Sequence, residues 1–335
     1  MRPWILLPLL AVTLAATACG GGSGPADAPP PSPTAAVLPD VASYTVASTE
    51  PAPDVKTAAA AYLETLLRYG AGDGTREAAQ QRLDEAGLPT APLDGAADLL
   101  SGSAAGTAEI IYPQLGGLTG NRASVMTVVT VHLLDGGEPT STTRVVDVRL
   151  AKTGETWAVS SIESIGGGPP AEAPPPAGPS PSAGTSTSDA AAAAGDDPGS
   201  AVLSSQRLDL PDTVKWDILS GAIDDRVLRM LLTLGEDHEL SVAVLSTGHP
   251  HNVFDSASVS NHVQGRAVDI WAIDGVPVAD LAGSGEPDNP ARTLMERALA
   301  EGSDEVGGPW ALSTADGATF TNTVHQDHLH VGFKR

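Results

Sequence analysis

Two short blocks near the end of the chain carry side chains that bind metals and move protons. The first block contains His262 and Asp269, and the second contains Asp327, His328 and His330. Neutral imidazoles together with one carboxylate are what a zinc ion needs when one coordination position stays open for water. A further carboxylate can accept a proton during metal-assisted hydrolysis. The pattern therefore predicts a hydrolytic zinc site.

The elements that must position these residues are a turn and two strands. Gly265–Ile273 is expected to be a strand, and its alternation places Asp269 on the face away from Val268. Gly265 allows a sharp turn just after His262, which can bring that ring back over Asp269. A closing strand is expected from about 328 to 333, and His330 on a neighbouring strand would complete the set.

The second block leaves two interpretations open. In an ideal strand His328 and His330 share a face, whereas Asp327 lies opposite. Either Asp327 precedes the strand in a bend, or His328 is the ligand and Asp327 is structural. We favour the bend, because Asp327 stands at the expected start of the strand.

The first block has the pattern Ser-x-His-x-x-Gly-x-Ala-x-Asp, and the second has Asp-x-x-His and His-x-His. Together they resemble the zinc peptidases grouped with D-Ala-D-Ala dipeptidases, lysostaphin and the hedgehog N-domain. The resemblance covers residues 204–335 and implies that His262, Asp269 and His330 bind Zn²⁺. It also implies that Asp327 is the general base, that His328 stabilises the transition state, and that the substrates are peptidoglycan stem peptides. The fixed positions of the first block are Ser260, His262, Gly265, Ala267 and Asp269.

One departure concerns substrate binding. Family members that bind a free carboxylate carry a segment like Ser-Gly-Tyr-Arg, but this chain has no Arg or Lys between Arg229 and Arg266. A carboxylate clamp needs such a fixed cation, so endopeptidase action stays open beside carboxypeptidase action. His249 and His251 are candidates for substrate contact. Two alternatives to an enzyme also remain, an inactive zinc module that binds peptidoglycan or a partner, and an envelope adaptor.

Composition divides the chain into two domains. Residues 19–40 and 166–203 are rich in Gly, Pro, Ser and Ala, which predicts a disordered tether and a disordered linker. In the domain at 41–165, apolar spacing predicts helices over 54–69 and 75–86. Alternating Val and Thr then predict three antiparallel strands. This layout resembles the cone-shaped SnoaL-like (nuclear-transport-factor-2-like) domains, which implies a binding or spacing module for an unknown partner. The expected strands are 124–134, 142–151 and 156–165.

In the domain at 204–335, we expect helices and strands to alternate. Asp224–Leu234 is predicted to be a helix and Ser241–Ser246 a buried strand. Another helix is expected to begin at Asn289 and end at Gly302. The fold class expected for the whole chain is therefore α+β, with a helices-then-sheet domain followed by a hedgehog-like or D,D-peptidase-like zinc domain.

The N-terminus predicts export. A basic start and a short apolar stretch over residues 1–18 are typical of a signal peptide, and the lone cysteine, Cys19, follows small residues as a lipidation site does. The predicted location is the outer face of the cytoplasmic membrane, with a lipid anchor. A net charge of −23 disfavours nucleic acid as a partner. Abundant Ala, Gly and Pro suggest a high-GC genome and an actinobacterial envelope.

Overall fold

Two helices open the part of the chain that the computed structural model describes, which comprises residues 36–163, 197–284, 288–314 and 317–334. Helix α1 is Pro53–Leu67 and starts with proline, whose missing N–H costs no hydrogen bond there. Helix α2 is Arg76–Glu85, and the hydroxyl of Thr75 accepts a hydrogen bond from the backbone N–H of Ala78. Both helices predicted for this part of the chain are confirmed.

A four-stranded antiparallel sheet follows, with its strands in chain order. Its last three strands confirm the prediction from alternating Val and Thr, whereas the first strand was not predicted. The face of the sheet toward α1 forms the core of this part of the chain. The strands are β1 (Ala105–Leu118), β2 (Arg122–Asp135), β3 (Glu138–Thr153) and β4 (Thr156–Glu163).

The unpredicted strand β1 contains residues that usually interrupt strands. Pro113 lacks a backbone donor, and Gly116 and Gly117 have no side chain to pack. The strand tolerates them because it lies at the edge of the sheet, and because its register with β2 shifts near Ile110 and near Leu115. Such bulges re-aim side chains, often beside functional sites.

The second half alternates short helices and strands, as predicted, and its sheet has seven strands. The order across the sheet is β10-β9-β11-β7-β6-β5, and β8 pairs with β7. The helices are α3 (Pro198–Ser204), α4 (Asp212–Leu219), α5 (Asp225–Leu234), α6 (Val278–Ala282) and α7 (Pro290–Ala300). The strands are β5 (Leu208–Asp209), β6 (Leu240–Val244), β7 (Ala267–Ile273), β8 (Val276–Pro277), β9 (Glu305–Gly307), β10 (Thr319–Phe320) and β11 (Leu329–Gly332).

Helix α3 corrects the predicted extent of the linker. Residues 198–203 were assigned to the disordered segment, but they are helical and Val202 is fully buried in the core of the second half. The carboxylate of Asp197 caps the helix by accepting a hydrogen bond from the N–H of Ser200, and Pro198 is its first residue. These are ordinary helix-start signals, which the surrounding low-complexity composition concealed.

The two halves have separate hydrophobic cores and a smaller apolar cluster between them. In that cluster Met126 and Val145 of the first sheet pack against Val244 of the second. Beside it, the rings of Tyr112 and Trp271 stack with centroids 4.5 Å apart. The described residues from 36 onward thus belong to one compact unit, and the division into two domains stays a prediction.

Several predicted features fall outside the described residues. They are the signal peptide, Cys19, most of the tether and the linker over 164–196. Within the described part of the chain, no helix combines the length and apolar character that crossing a membrane requires.

Candidate metal centre

The pairing of two central strands places a histidine opposite a carboxylate. Strands β7 and β11 are antiparallel, and their register sets His330 beside Asp269. Both residues are buried, and Nδ1 of His330 lies 3.0 Å from Oδ1 of Asp269. The expectation that the two blocks meet across neighbouring strands is therefore confirmed.

A turn brings His262 to the same point. His262–Gln264 is a single 3₁₀ turn that ends at Gly265, whose φ of +68° is left-handed. A Cβ on Gly265 would lie 2.0 Å from the carbonyl oxygen of Ala222, so only glycine fits there. As the sequence predicts, the turn folds His262 back over the strand, and its Nε2 lies 3.1 Å from Oδ1 of Asp269.

The hydrogen-bond partners of His262 determine which of its ring nitrogens is available to a metal ion. Nδ1 of His262 lies 2.8 Å from the carbonyl oxygen of Leu245. Because that carbonyl only accepts hydrogen bonds, Nδ1 carries a proton, which leaves Nε2 as the nitrogen available to a metal ion. This nitrogen is 3.1 Å from Nδ1 of His330, so the two nitrogens and Oδ1 of Asp269 form a triangle. Ligands around a tetrahedral zinc are about 3.3 Å apart, so this donor set fits such an ion.

The electrostatics of the triangle favour a bound positive charge. Burial opposes ionisation of Asp269, but His262 and His328 outweigh it and hold the pKa of its carboxyl well below the usual range. Burial would likewise lower the pKa of His330, but hydrogen bonding and the charges of Asp269 and Glu305 raise it to about 9. The site therefore attracts a cation, either a proton or a metal ion.

His249, predicted as a substrate contact, lies beside this triangle. Its ring stacks on that of His262 with centroids 4.1 Å apart, and its Nδ1 is 2.8 Å from the carbonyl oxygen of Pro250. Burial and the neighbouring His262 hold the pKa of His249 well below its usual range, so Nε2 keeps its lone pair. His249, His262 and Asp269 each offer a ligand atom within 4.8 Å of the others and could hold a metal ion.

His251, the other predicted substrate contact, is not brought to this cluster. It is exposed and lines a separate, open depression together with Arg122 and Arg149. The two histidines are only two positions apart, but the loop between β6 and β7 turns between them. Only His249 faces the candidate metal centre.

Asp327 lies in the favoured bend, after a 3₁₀ turn at Val324–Gln326 and before β11. Its Oδ1 is 2.6 Å from Nδ1 of His328, and its Oδ2 accepts a hydrogen bond of 2.9 Å from the backbone N–H of Leu115. The same oxygen is 2.6 Å from Nζ of Lys56. Both oxygens of this fully buried carboxylate are therefore occupied by protein groups.

Of the hydrogen-bonded pair Asp327 and His328, only His328 reaches a cavity. His328 lines a cavity of about 490 Å³ that His262, Asp269 and His330 also line, whereas Asp327 does not line it. Nε2 of His328 lies 3.8 Å from Oδ2 of Asp269. His328 can thus exchange a proton with a molecule that lies in the cavity. Asp327 can hold the ring of His328 in a fixed orientation. The first half of the chain contributes Leu115, Gly116 and Met126 to the cavity wall.

Sequence reasoning missed the residues that reach the site from the first half. Gln114 donates a hydrogen bond of 2.7 Å to Oδ2 of Asp269, and Lys56 contacts Asp327 as described. Lys56 carried a signal, since it continues the apolar stripe of α1 at the spacing of Ala60 and Leu63. A lysine on such a stripe predicts a buried partner. Nothing near Gln114 in the sequence marks it.

Comparison of the chain with protein-family models, with curated proteins and with solved structures finds no match.

Proposed function

We propose that the chain is a zinc-dependent peptidase that acts on peptidoglycan stem peptides or cross-links at the cell envelope. The observation that carries the proposal is the triangle of His262, Asp269 and His330, whose donor atoms lie 3.0 to 3.1 Å apart. The Asp327–His328 pair opens on the same cavity. A lipid anchor on Cys19 and a place on the outer face of the membrane belong to the proposal on the strength of the sequence.

In this proposal His262, Asp269 and His330 hold the zinc ion. When bound, zinc lowers the pKa of its water and polarises the carbonyl of the scissile bond. His328 would accept a proton at Nε2 from the attacking water and return it to the leaving amine. Asp327, the predicted base, instead keeps Nδ1 of His328 protonated and the ring in place, because its own oxygens are buried and occupied.

The cavity wall bears on which bond is cleaved. Among the described residues that line it, Glu305 and Asp269 are acidic, and neither Lys nor Arg occurs. A free C-terminal carboxylate would find no guanidinium or ammonium group there to clamp it. The lining thus favours cleavage of an internal peptide bond, such as one in a cross-link. Glu305 is placed to attract an amine of the substrate.

The proposal is tested by digestion of purified peptidoglycan with the full-length chain, with and without zinc, followed by mass spectrometry of the released peptides. We expect zinc-dependent release from the wild type and none from a His262→Ala variant. A His132→Ala variant, which loses an imidazole in strand β2 far from the cavity, is the matched control and should match the wild type. A wild type that holds zinc and leaves every stem and cross-link intact would contradict the proposal.

A zinc module that does not cleave is the second candidate, because His249 stands close enough to act as a fourth protein ligand. Four protein ligands make a closed, structural site, whereas a catalytic site keeps one position open. The Co²⁺-substituted chain distinguishes the two, since its visible spectrum reports the ligand set. A catalytic site predicts the same spectrum for the wild type and a His249→Ala variant, and a closed site predicts a different one.

A further inference from the structure

A buried ion cluster joins α1 of the first half to Asp327 of the second. Nζ of Lys56 lies 2.6 Å from Oδ2 of Asp327 and also contacts the carboxylate of Glu50. The side chains of Lys56 and Asp327 are fully buried, and that of Glu50 is 4% exposed. The hydroxyl of Tyr112 lies 3.1 Å from Glu50 and 3.2 Å from the carbonyl oxygen of Asp327. Water is therefore excluded from the three charges.

The charges of this cluster make Lys56 indispensable to its geometry. Two carboxylates and one ammonium sum to one net negative charge, so without Lys56 two carboxylates would face each other in a buried space. Burial opposes the ionisation of Asp327, but Lys56 and His328 outweigh it and hold the pKa of its carboxyl below the usual range. Breaking a buried pair leaves an uncompensated charge, which is far more costly than losing a surface pair.

Strand β1 holds both carboxylates of the site from the same side. The backbone N–H of Leu115 donates to Asp327, and the amide of the preceding Gln114 donates to Oδ2 of Asp269. The Gln114 contact leaves Oδ1 of Asp269 free to face His262 and His330. Partners of this kind fix the orientation of ligands and acid–base groups in metal sites. Helix α1 and strand β1 therefore contact residues of the site.

We propose that the first half of the chain is a working part of the catalytic site, and that Lys56 is a positioning residue that fixes Asp327 against Nδ1 of His328. The inference rests on the proposed function, since it deepens the role given there to His328. The competing explanation is that the ion cluster only attaches the two halves to each other.

Two variants separate the explanations. Glu50→Gln removes one carboxylate but keeps the contact between Lys56 and Asp327. Glu50→Gln combined with Lys56→Met removes that contact and keeps the net charge of the cluster as in the wild type, while Asp327 keeps Leu115 and His328 as partners. Glu50→Gln changes contacts within the first half only, whereas the double variant also breaks the contact between Lys56 and Asp327. The two variants differ only at Lys56. Thermal unfolding and zinc content are measured first, to show that both are folded and loaded.

The decisive readout is the tautomer of His328, measured by ¹⁵N NMR on the full-length, zinc-loaded chain with labelled histidines. We expect a single Nδ1–H tautomer in the wild type and in Glu50→Gln, and a mixture of tautomers in the double variant. With a peptide substrate, kcat of the double variant should fall roughly 10- to 100-fold with little change in KM.

An unchanged tautomer in the folded double variant would overturn the inference, as would an equal change in Glu50→Gln. The NMR result does not depend on turnover. If the wild type cleaves no peptide but the tautomers differ as expected, the proposed function fails while the positioning role of Lys56 stands.

Discussion

Nε2 of His262 lies 3.1 Å from Nδ1 of His330, although 68 positions separate the two residues. The proton of His262 is committed to the carbonyl oxygen of Leu245, so its Nε2 faces this partner with a lone pair. Oδ1 of Asp269, which can only accept when ionised, is within 3.1 Å of both nitrogens. Three atoms placed in this way can share a cation, either a proton or a metal ion.

The roles of the second block are separable by substitution. We predict that His328→Ala and Asp327→Asn keep the bound zinc, because neither residue belongs to the triangle. Peptide cleavage by His328→Ala should fall by roughly two to four orders of magnitude, the usual size of a general acid–base contribution. Metal analysis and turnover assays on the same preparations provide the two measurements.

His330→Ala is the matched variant for this comparison, because it removes an imidazole only two positions away from His328. It should lose the metal and the activity together. If His328→Ala emptied the site while His330→Ala left it filled, the wrong histidine would have been assigned to the metal.

Gln114 should strengthen metal binding although it is not one of the proposed ligands. Its amide donates to Oδ2 of Asp269, and a Gln114→Leu variant removes that donor without adding charge. Loss of such a partner typically weakens metal binding 10- to 100-fold, so we expect a drop of that size in a zinc competition titration. Thr127→Val is the control, because Thr127 is a buried polar residue of β2 whose hydroxyl has no hydrogen-bond partner. Equal affinities in the two variants would refute the role of Gln114.

Stability should depend on pH through Asp147, which is buried in strand β3. Burial raises the pKa of its carboxyl to about 6 from an ordinary value of 3.8, although Arg149 and Ser124 oppose the shift. The folded protein thus holds this proton more tightly than the unfolded chain does. Ionisation of Asp147 therefore costs stability, and the cost is absent below about pH 4 and complete above about pH 6.

The prediction is measured against Asp147→Asn, which cannot titrate at this position. As the pH rises from about 4 to above 6, the free energy of unfolding of the wild type should fall relative to the variant by up to about 3 kcal/mol. Urea unfolding at several pH values gives both free energies. A difference that stays constant with pH would show that the burial of Asp147 has no such effect.

Local patterns in the sequence predicted most of the elements and the approach of His262, Asp269 and His330 to one another. The helix at α1, the Val- and Thr-rich strands and the turn at Gly265 are determined by neighbours along the chain. The two histidine blocks could be paired because each is short and lies at a strand. The structure confirms that His262, Asp269 and His330 meet.

The partners of the site from the first half could not be predicted in this way. The hydrogen bond between Leu115 and Asp327 joins residues 212 positions apart, and strand β1 carries Pro113 and two glycines that argue against a strand. For the same reason the partners of Asp327 could not be predicted. Its sequence neighbours allow a free base, whereas its partners in space occupy both oxygens.

The most direct test of the account is the metal content of the purified full-length chain. We predict about one zinc per chain in the wild type, which chelation removes, and an unchanged content in the control variant His132→Ala. His262→Ala should lose most of the zinc, because it removes one of three protein ligands. A His262→Ala variant that is folded and keeps its full complement of zinc would contradict the assignment of the metal centre.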